Sequence, residues 1–462
     1  MLTNEIKTVE SKGLRLTKVF FLLFLLTLFF PIRYVFPTAS SFATGLYSDF
    51  TSISLYLSDI FLLIAFFLIL CYNYKEVVKL ITSPFILAIF WLFFLLIFRI
   101  NAISGLNIWF FVKFIEFAIV AYGTMTFLLK NKAIQFKNTF LLFLLALGTI
   151  QSIIGLLQFI NQSPLGLNLI GEQIIYPNLW GVAKIVSNGT AYIRAYGTFP
   201  HPNPFSAFLL VTILFNIYLV SITTWKRFTK YWLNLALFVN ILGLTVTFSR
   251  GAYLALAVGL LVFFGLLMRK TGIKAQLMPI GKILLALLLS FLIFKPFLLT
   301  RANVWDQATI ERNTYNKAAL SIIKDKPLTG VGMGESLLHM EQYSPVVLQP
   351  WQIQPIHNFF LLASAELGLP GMMILIYIFV AHLKKLILSI RYYVSSIPNT
   401  KYPIQNTNQE QENLLYKLTL LTILICFLIL MQFDHYFYTL QQTQMLLWLI
   451  LGLIAAEVYQ KN

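Results

Sequence analysis

Apolar runs of about 15–25 residues recur along this chain from end to end, and that feature decides the solvent in which it folds. A helix rises about 1.5 Å per residue, so some twenty apolar residues match the hydrocarbon thickness of a bilayer. Charged residues make up only 11% of the 462, against about a quarter in a soluble globular chain. Mean hydropathy is +0.78. Such a chain is not a soluble enzyme, a disordered tail or a secreted disulfide scaffold. Both cysteines, Cys71 and Cys426, fall in apolar runs, which predicts packing rather than a bridge or a metal site.

Windows of bilayer length predict about twelve spans, at 17–36, 53–72, 84–100, 107–129, 138–160, 203–224, 231–248, 251–268, 278–299, 358–382, 415–433 and 441–459. The expected fold is one all-α polytopic membrane domain over residues 1–462. If the N-terminus starts in the cytoplasm, roughly twice as many Lys and Arg fall inside as outside, and both termini are cytoplasmic. The net charge of +17 thus reports topology. It forms no basic stripe and no nucleic-acid motif, so no nucleic-acid partner is expected. The basic start (Lys12, Arg15, Lys18) precedes an apolar run without a small-residue cleavage site, which predicts an uncleaved first span. Residues 231–268 read as one helix would be nearly twice the hydrocarbon thickness. The chain must therefore turn near Ser249-Arg250-Gly251, which puts Arg250 at the outer face.

Two segments of that face lie outside the spans. Residues 161–202 carry too many Pro and Gly for a long helix. Residues 300–357 form a large extracytoplasmic loop, in which 305–323 has helical spacing, with Ala308, Tyr315, Ala319, Ile322 and Ile323 near one side. On spacing alone this helix is expected to lie on the membrane surface. Residues 396–413 read as a polar linker. No internal repeat supports an inverted-repeat transporter.

Ionisable groups at membrane depth are few. Lys113 and Glu116, three apart on one helix face, predict an ion pair, and Lys282 and Lys295 can snorkel. The outer face holds His201, His339, His357 and His435 together with Arg250 and Arg312. One titratable base and several fixed cations suit a transfer reaction with a phosphate leaving group. The outer carboxylates form no paired-acid motif of the kind that holds magnesium, so neither a metal nor a cofactor is expected. There is no Walker loop, nucleophile elbow or HExxH sequence.

Four stretches resemble the O-antigen ligase/polymerase superfamily of membrane glycosyltransferases. They are Gly197-Thr198-Phe199-Pro200-His201-Pro202-Asn203, Phe248-Ser249-Arg250-Gly251-Ala252-Tyr253, the run from Arg312 through Pro327-Leu328-Thr329-Gly330-Val331-Gly332, and Pro355-Ile356-His357-Asn358-Phe359 with Ala365-Glu366-Leu367-Gly368-Leu369-Pro370-Gly371. The resemblance covers residues 195–385 and implies a helical fold of the class C glycosyltransferase type in the bacterial cytoplasmic membrane. It implies transfer of a glycan from a polyprenyl-pyrophosphate donor to a glycan, lipid or protein hydroxyl on the outer side. It also implies His357 as the catalytic base, followed by Asn358, with Arg250 and Arg312 on the pyrophosphate. Asn316 stands where the family often has an aromatic residue, which leaves Arg301 as an alternative to Arg312. His201, between two prolines, is expected to shape the loop beside the site. Glu366 lies half a helical rotation from His357 and is not expected to orient it. Gly330-Val331-Gly332 reads as a plain turn. A polymerase, a protein O-glycosyltransferase and a non-enzymatic transporter of lipid-linked glycan are the alternatives. A transporter would place its charges near mid-membrane, whereas here they gather on one face.

Overall fold

The computed structural model describes residues 12–78, 85–98, 104–130, 134–222, 225–271, 273–301, 307–396 and 408–458. The linker expected at 396–413 lies outside them over 397–407, and the first two residues of the helix expected at 305–323 also lie outside. Among the described residues, 9 helices are long and apolar enough to cross a membrane by length and composition. They are Gly105–Leu129, Phe136–Asn161, Pro202–Ser221, Arg227–Val246, Arg250–Arg269, Leu277–Thr300, Phe359–Tyr392, Gln409–Leu430 and Gln441–Val458. The chain is an all-α, multi-pass membrane protein.

The first three expected spans coincide in part with the helices Lys12–Phe29, which carries three basic residues, Leu57–Val78 and Phe85–Phe98. Residues 33–36 and 53–56, expected to be helical, are strands: Arg33–Phe36 pairs antiparallel with Ile53–Tyr56. Pro31 supplies no N–H and disfavours helix at the residue before it, so the first helix stops at Phe29. A second hairpin joins Lys184–Ser187 to Thr190–Ile193. Its turn is Asn188-Gly189, both with positive φ, as a tight two-residue hairpin requires.

Burial grades across the bundle. Pro202–Ser221 is enclosed on nearly every side, whereas Leu277–Thr300 leaves Leu284, Leu288 and Ile293 exposed. A helix that is apolar all round and uncovered by protein fits a lipid-facing position. The helix Gln307–Asp325 realises the one expected in the large loop. Its face of Tyr315, Ala318, Ala319 and Ile322 is buried against Val331, Met340, Ile356 and Leu362. Protein covers that face, so the expectation of a surface-lying helix is corrected.

A break in the helix Phe359–Ser396 anchors the segment that follows Gln307–Asp325. Gly368 has φ 71° and precedes Pro370 by two residues. Carbonyls freed at the break accept from the turn at 330–332: Val331 N donates to Ala365 O at 2.8 Å and Gly332 N to Glu366 O at 3.1 Å. Leu369 N returns a bond to Pro327 O at 2.8 Å. A Cβ at Gly330 would lie 2.5 Å from Ala365 O, so only glycine lets the two backbones approach. The Glu366 carboxylate secures the same turn, accepting from Gly334 N at 2.6 Å and Ser336 Oγ at 2.7 Å. Gly330-Val331-Gly332 is a turn, as read from the sequence, and Glu366 holds that turn.

Candidate functional site

A cavity of about 1260 Å³ opens at one end of the bundle. His201, Arg194, Arg301, Arg312, His357, Asp434 and His435 contribute to its wall. A smaller pocket adjoins it, lined among others by Arg194, Ser249, Arg250, Gly251, Arg301, Arg312 and Asp434. The two share Arg194, Asn203, Arg301, Arg312, Asp434 and Tyr436. Four arginines and one carboxylate therefore contribute to the smaller pocket, an excess of positive charge suited to an anion.

Each arginine reaches the pocket from a different element. Arg250 is the first residue of Arg250–Thr271. Phe248, just before it, has φ 49° and is fully buried among Phe159 and Phe297. A non-glycine residue in that region costs roughly 1–3 kcal/mol, so the aromatic packing holds a strained turn that fixes Arg250. A cation at the positive end of a helix dipole is itself unfavourable, and a bound anion would relieve it. Arg312 sits on Gln307–Asp325, with Nη2 3.8 Å from Asp434 Oδ2. Arg194 follows the second hairpin. It donates from Nε to Thr247 O at 2.6 Å and from Nη2 to Asn203 Oδ1 at 2.7 Å. Asn203 passes the chain on, donating to Asp434 Oδ2 at 2.7 Å.

His357 lies just before the helix that starts at Phe359 and lines the larger cavity. Its Nδ1 is 2.8 Å from Pro355 O. A carbonyl can only accept, so Nδ1 carries the proton and Nε2 keeps its lone pair. Tyr315 stacks on one face of the ring at 5.7 Å, and His435 meets it edge-on at 4.8 Å. Burial pushes the His357 pKa below its ordinary value; Asp434 pulls it up and Arg312 pushes it down further. Asp434 is held well below the usual carboxylate range: burial opposes this, but the facing histidines and Arg312 outweigh it. Burial also lowers His435, to about 3.

Three of the expected site residues, Arg250, Arg301 and Arg312, line the smaller pocket, while His201 and His357 line the cavity that adjoins it. Arg301 and Arg312 both contribute to that lining. His201 Nδ1 accepts from Asn203 N at 3.1 Å, capping Pro202–Ser221, and burial beside Arg194 lowers its pKa to about 3. Asn358 follows His357 directly and caps the helix beside it. Its Oδ1 caps the next helix, accepting from Phe360 N and Leu361 N at 2.9 and 3.0 Å, while Nδ2 donates to Gln432 O at 3.1 Å. The cap, together with Phe359 N donating to Met431 O at 2.9 Å, sets His357 in register with Asp434. Asn358→Ala should cost about 1 kcal/mol of stability, the usual worth of such a cap, read as a lower melting temperature in detergent. An unchanged melting temperature would contradict the capping role.

The sequence places His435 on the outer face but assigns no role to Arg194, Asp434 or His435. None stands in a recognisable spacing, and His357 and Asp434 meet only through the fold. The sole sequence cue was that Asp434-His435 interrupts two apolar runs with a charge and an imidazole. His357, Asp434 and His435 also form a group that could hold a metal: each offers a ligand atom, and these lie within 4.8 Å of one another. Lys113 also lines the cavity, and its expected pair with Glu116 forms at 2.9 Å, with Asp59 as a third member.

Residues 235–376 match the family described as O-antigen ligase. No curated protein matches the chain.

Proposed function

We propose, on the match over 235–376, that this chain belongs to the O-antigen ligase superfamily and moves a glycan from a polyprenyl-pyrophosphate donor to an acceptor hydroxyl. The observation that carries this reading is a pocket lined by four arginines that shares Arg312 and Asp434 with the cavity lined by His357, an imidazole of fixed tautomer. The cavity end faces outward from the bacterial cytoplasmic membrane, with both termini in the cytoplasm.

In this mechanism the donor diphosphate lies in the arginine-lined pocket. There Arg250, Arg312 and the N-terminus of Arg250–Thr271 offset its charge. The acceptor hydroxyl lies on the His357 side. Nε2 of His357 takes the hydroxyl proton as the oxygen attacks the anomeric carbon from the face opposite the diphosphate. The bond between that carbon and the diphosphate oxygen breaks, and its electron pair leaves on the diphosphate. The configuration inverts. Charge grows where the guanidinium groups already point, so they stabilise the transition state more than the ground state. Arginine supplies the positive charge, and no step calls for a metal.

Deleting the gene and separating surface glycans by electrophoresis tests this reading. The expected result is loss of the polymer from its final acceptor with glycan held on the polyprenyl carrier. A product one repeat long would make the enzyme a polymerase of the same superfamily. An unaltered glycan profile would reject glycan transfer.

A further inference from the structure

We propose that His357, Asp434 and His435 form a binding site for a first-row transition-metal ion, Zn²⁺ above all, and that the bound ion shuts the reaction down. Two imidazoles and one carboxylate, with a fourth position open to the cavity, form the donor set of many zinc sites. The three ligand atoms lie within 4.8 Å of one another. Zinc bonds of about 2.0–2.2 Å in a tetrahedron need ligand separations near 3.4 Å, so each group has to move by about 1 Å or less.

The surroundings match what such ligands require. A ligating histidine is normally held through its other ring nitrogen. His357 Nδ1 is held by Pro355 O at 2.8 Å, and His435 Nδ1 lies 2.6 Å from Thr439 Oγ1. Asp434 divides its two oxygens: Oδ2 takes Asn203 and faces Arg312, while Oδ1 is 3.7 Å from His435 Nε2. An ion on the Oδ1 side therefore need not displace Arg312. All three residues line the open cavity, which gives the ion a way in. Arg312 nearby repels a divalent cation and keeps the affinity modest. The set is thus suited to reversible capture rather than to a permanent structural metal.

The inhibitory part rests on the proposed role of His357, whose Nε2 cannot hold zinc and take a proton at once. The binding part does not rest on it. Titrating ZnCl₂ into the full chain, purified in detergent without a histidine tag, should show about one equivalent bound per chain. Co²⁺ should give the ligand-field absorption of a low-coordinate nitrogen and oxygen site. Thr439→Val should weaken zinc binding about 10–100-fold, as loss of an outer partner does, and His435→Asn should weaken it more. No zinc bound by the wild-type chain would overturn the site, as would undiminished affinity in Thr439→Val and His435→Asn. If His435→Asn fails to fold, Thr439→Val and the wild-type cobalt spectrum decide. Zinc should also suppress glycan transfer by the wild type, with EDTA restoring it. Zinc that binds without suppressing transfer would overturn the shutdown and remove His357 from its role as base. A chain that binds zinc but transfers nothing, even in EDTA, would leave the site standing and reject the function.

Discussion

Replacing His357 with alanine is expected to lower glycan transfer about 10²–10⁴-fold, the usual cost of removing a general base. The protein should still insert and melt near the wild-type temperature, while glycan accumulates on its polyprenyl carrier. The size of the effect follows from three features of the ring. The bond to Pro355 O fixes the tautomer, the Tyr315 stack fixes the plane, and burial keeps the ring neutral at physiological pH. Because neutral imidazole is the active form, the wild-type rate should be flat near neutrality and fall only as acid protonates the ring, below its ordinary pKa of about 6.5. The Asp434 charge favours the protonated ring. Asp434→Asn should therefore move the acid fall to still lower pH. Wild-type transfer by His357→Ala would reject the base, and an acid limb moved upward by Asp434→Asn would reject the electrostatic account.

The same residues show how far the sequence carries. The turn at Ser249-Arg250-Gly251 was legible because bilayer thickness forbids a helix running through it, and the chain does turn there between Arg227–Val246 and Arg250–Thr271. The helix Gln307–Asp325 was legible from its spacing. Spacing shows that a face must be covered but not by what, so burial under protein and burial in lipid look alike. The strands at 33–36 and 53–56 were hidden because an apolar window scores the same whether it is helical or extended. Asn358 carried a readable cap signature, a short polar residue just before an apolar helix. Arg194 and Asp434 had no such signal. A lone charge in a loop acquires meaning only from its neighbours, and here the neighbours come from segments more than two hundred residues apart.

Arg312→Ala should lower transfer about 10²–10³-fold, mostly in kcat, as expected for a donor aimed at charge that develops in the transition state. Arg312→Lys should recover only part of the loss, because an ammonium cannot grip two diphosphate oxygens in the planar fork that guanidinium offers. Arg301→Ala should cost less. Arg312 lies 3.8 Å from Asp434, and both line the cavity together with His357. A competing account makes Arg312 only the counter-ion of Asp434, acting on His357 at second hand. The two accounts separate in the Asp434→Asn background. If Arg312 acts only through that carboxylate, removing it there should change little. If it binds the departing diphosphate, the loss should persist almost in full, because the substrate anion still lacks its partner. Full activity in Arg312→Ala, or complete rescue by lysine, would remove Arg312 from the diphosphate site.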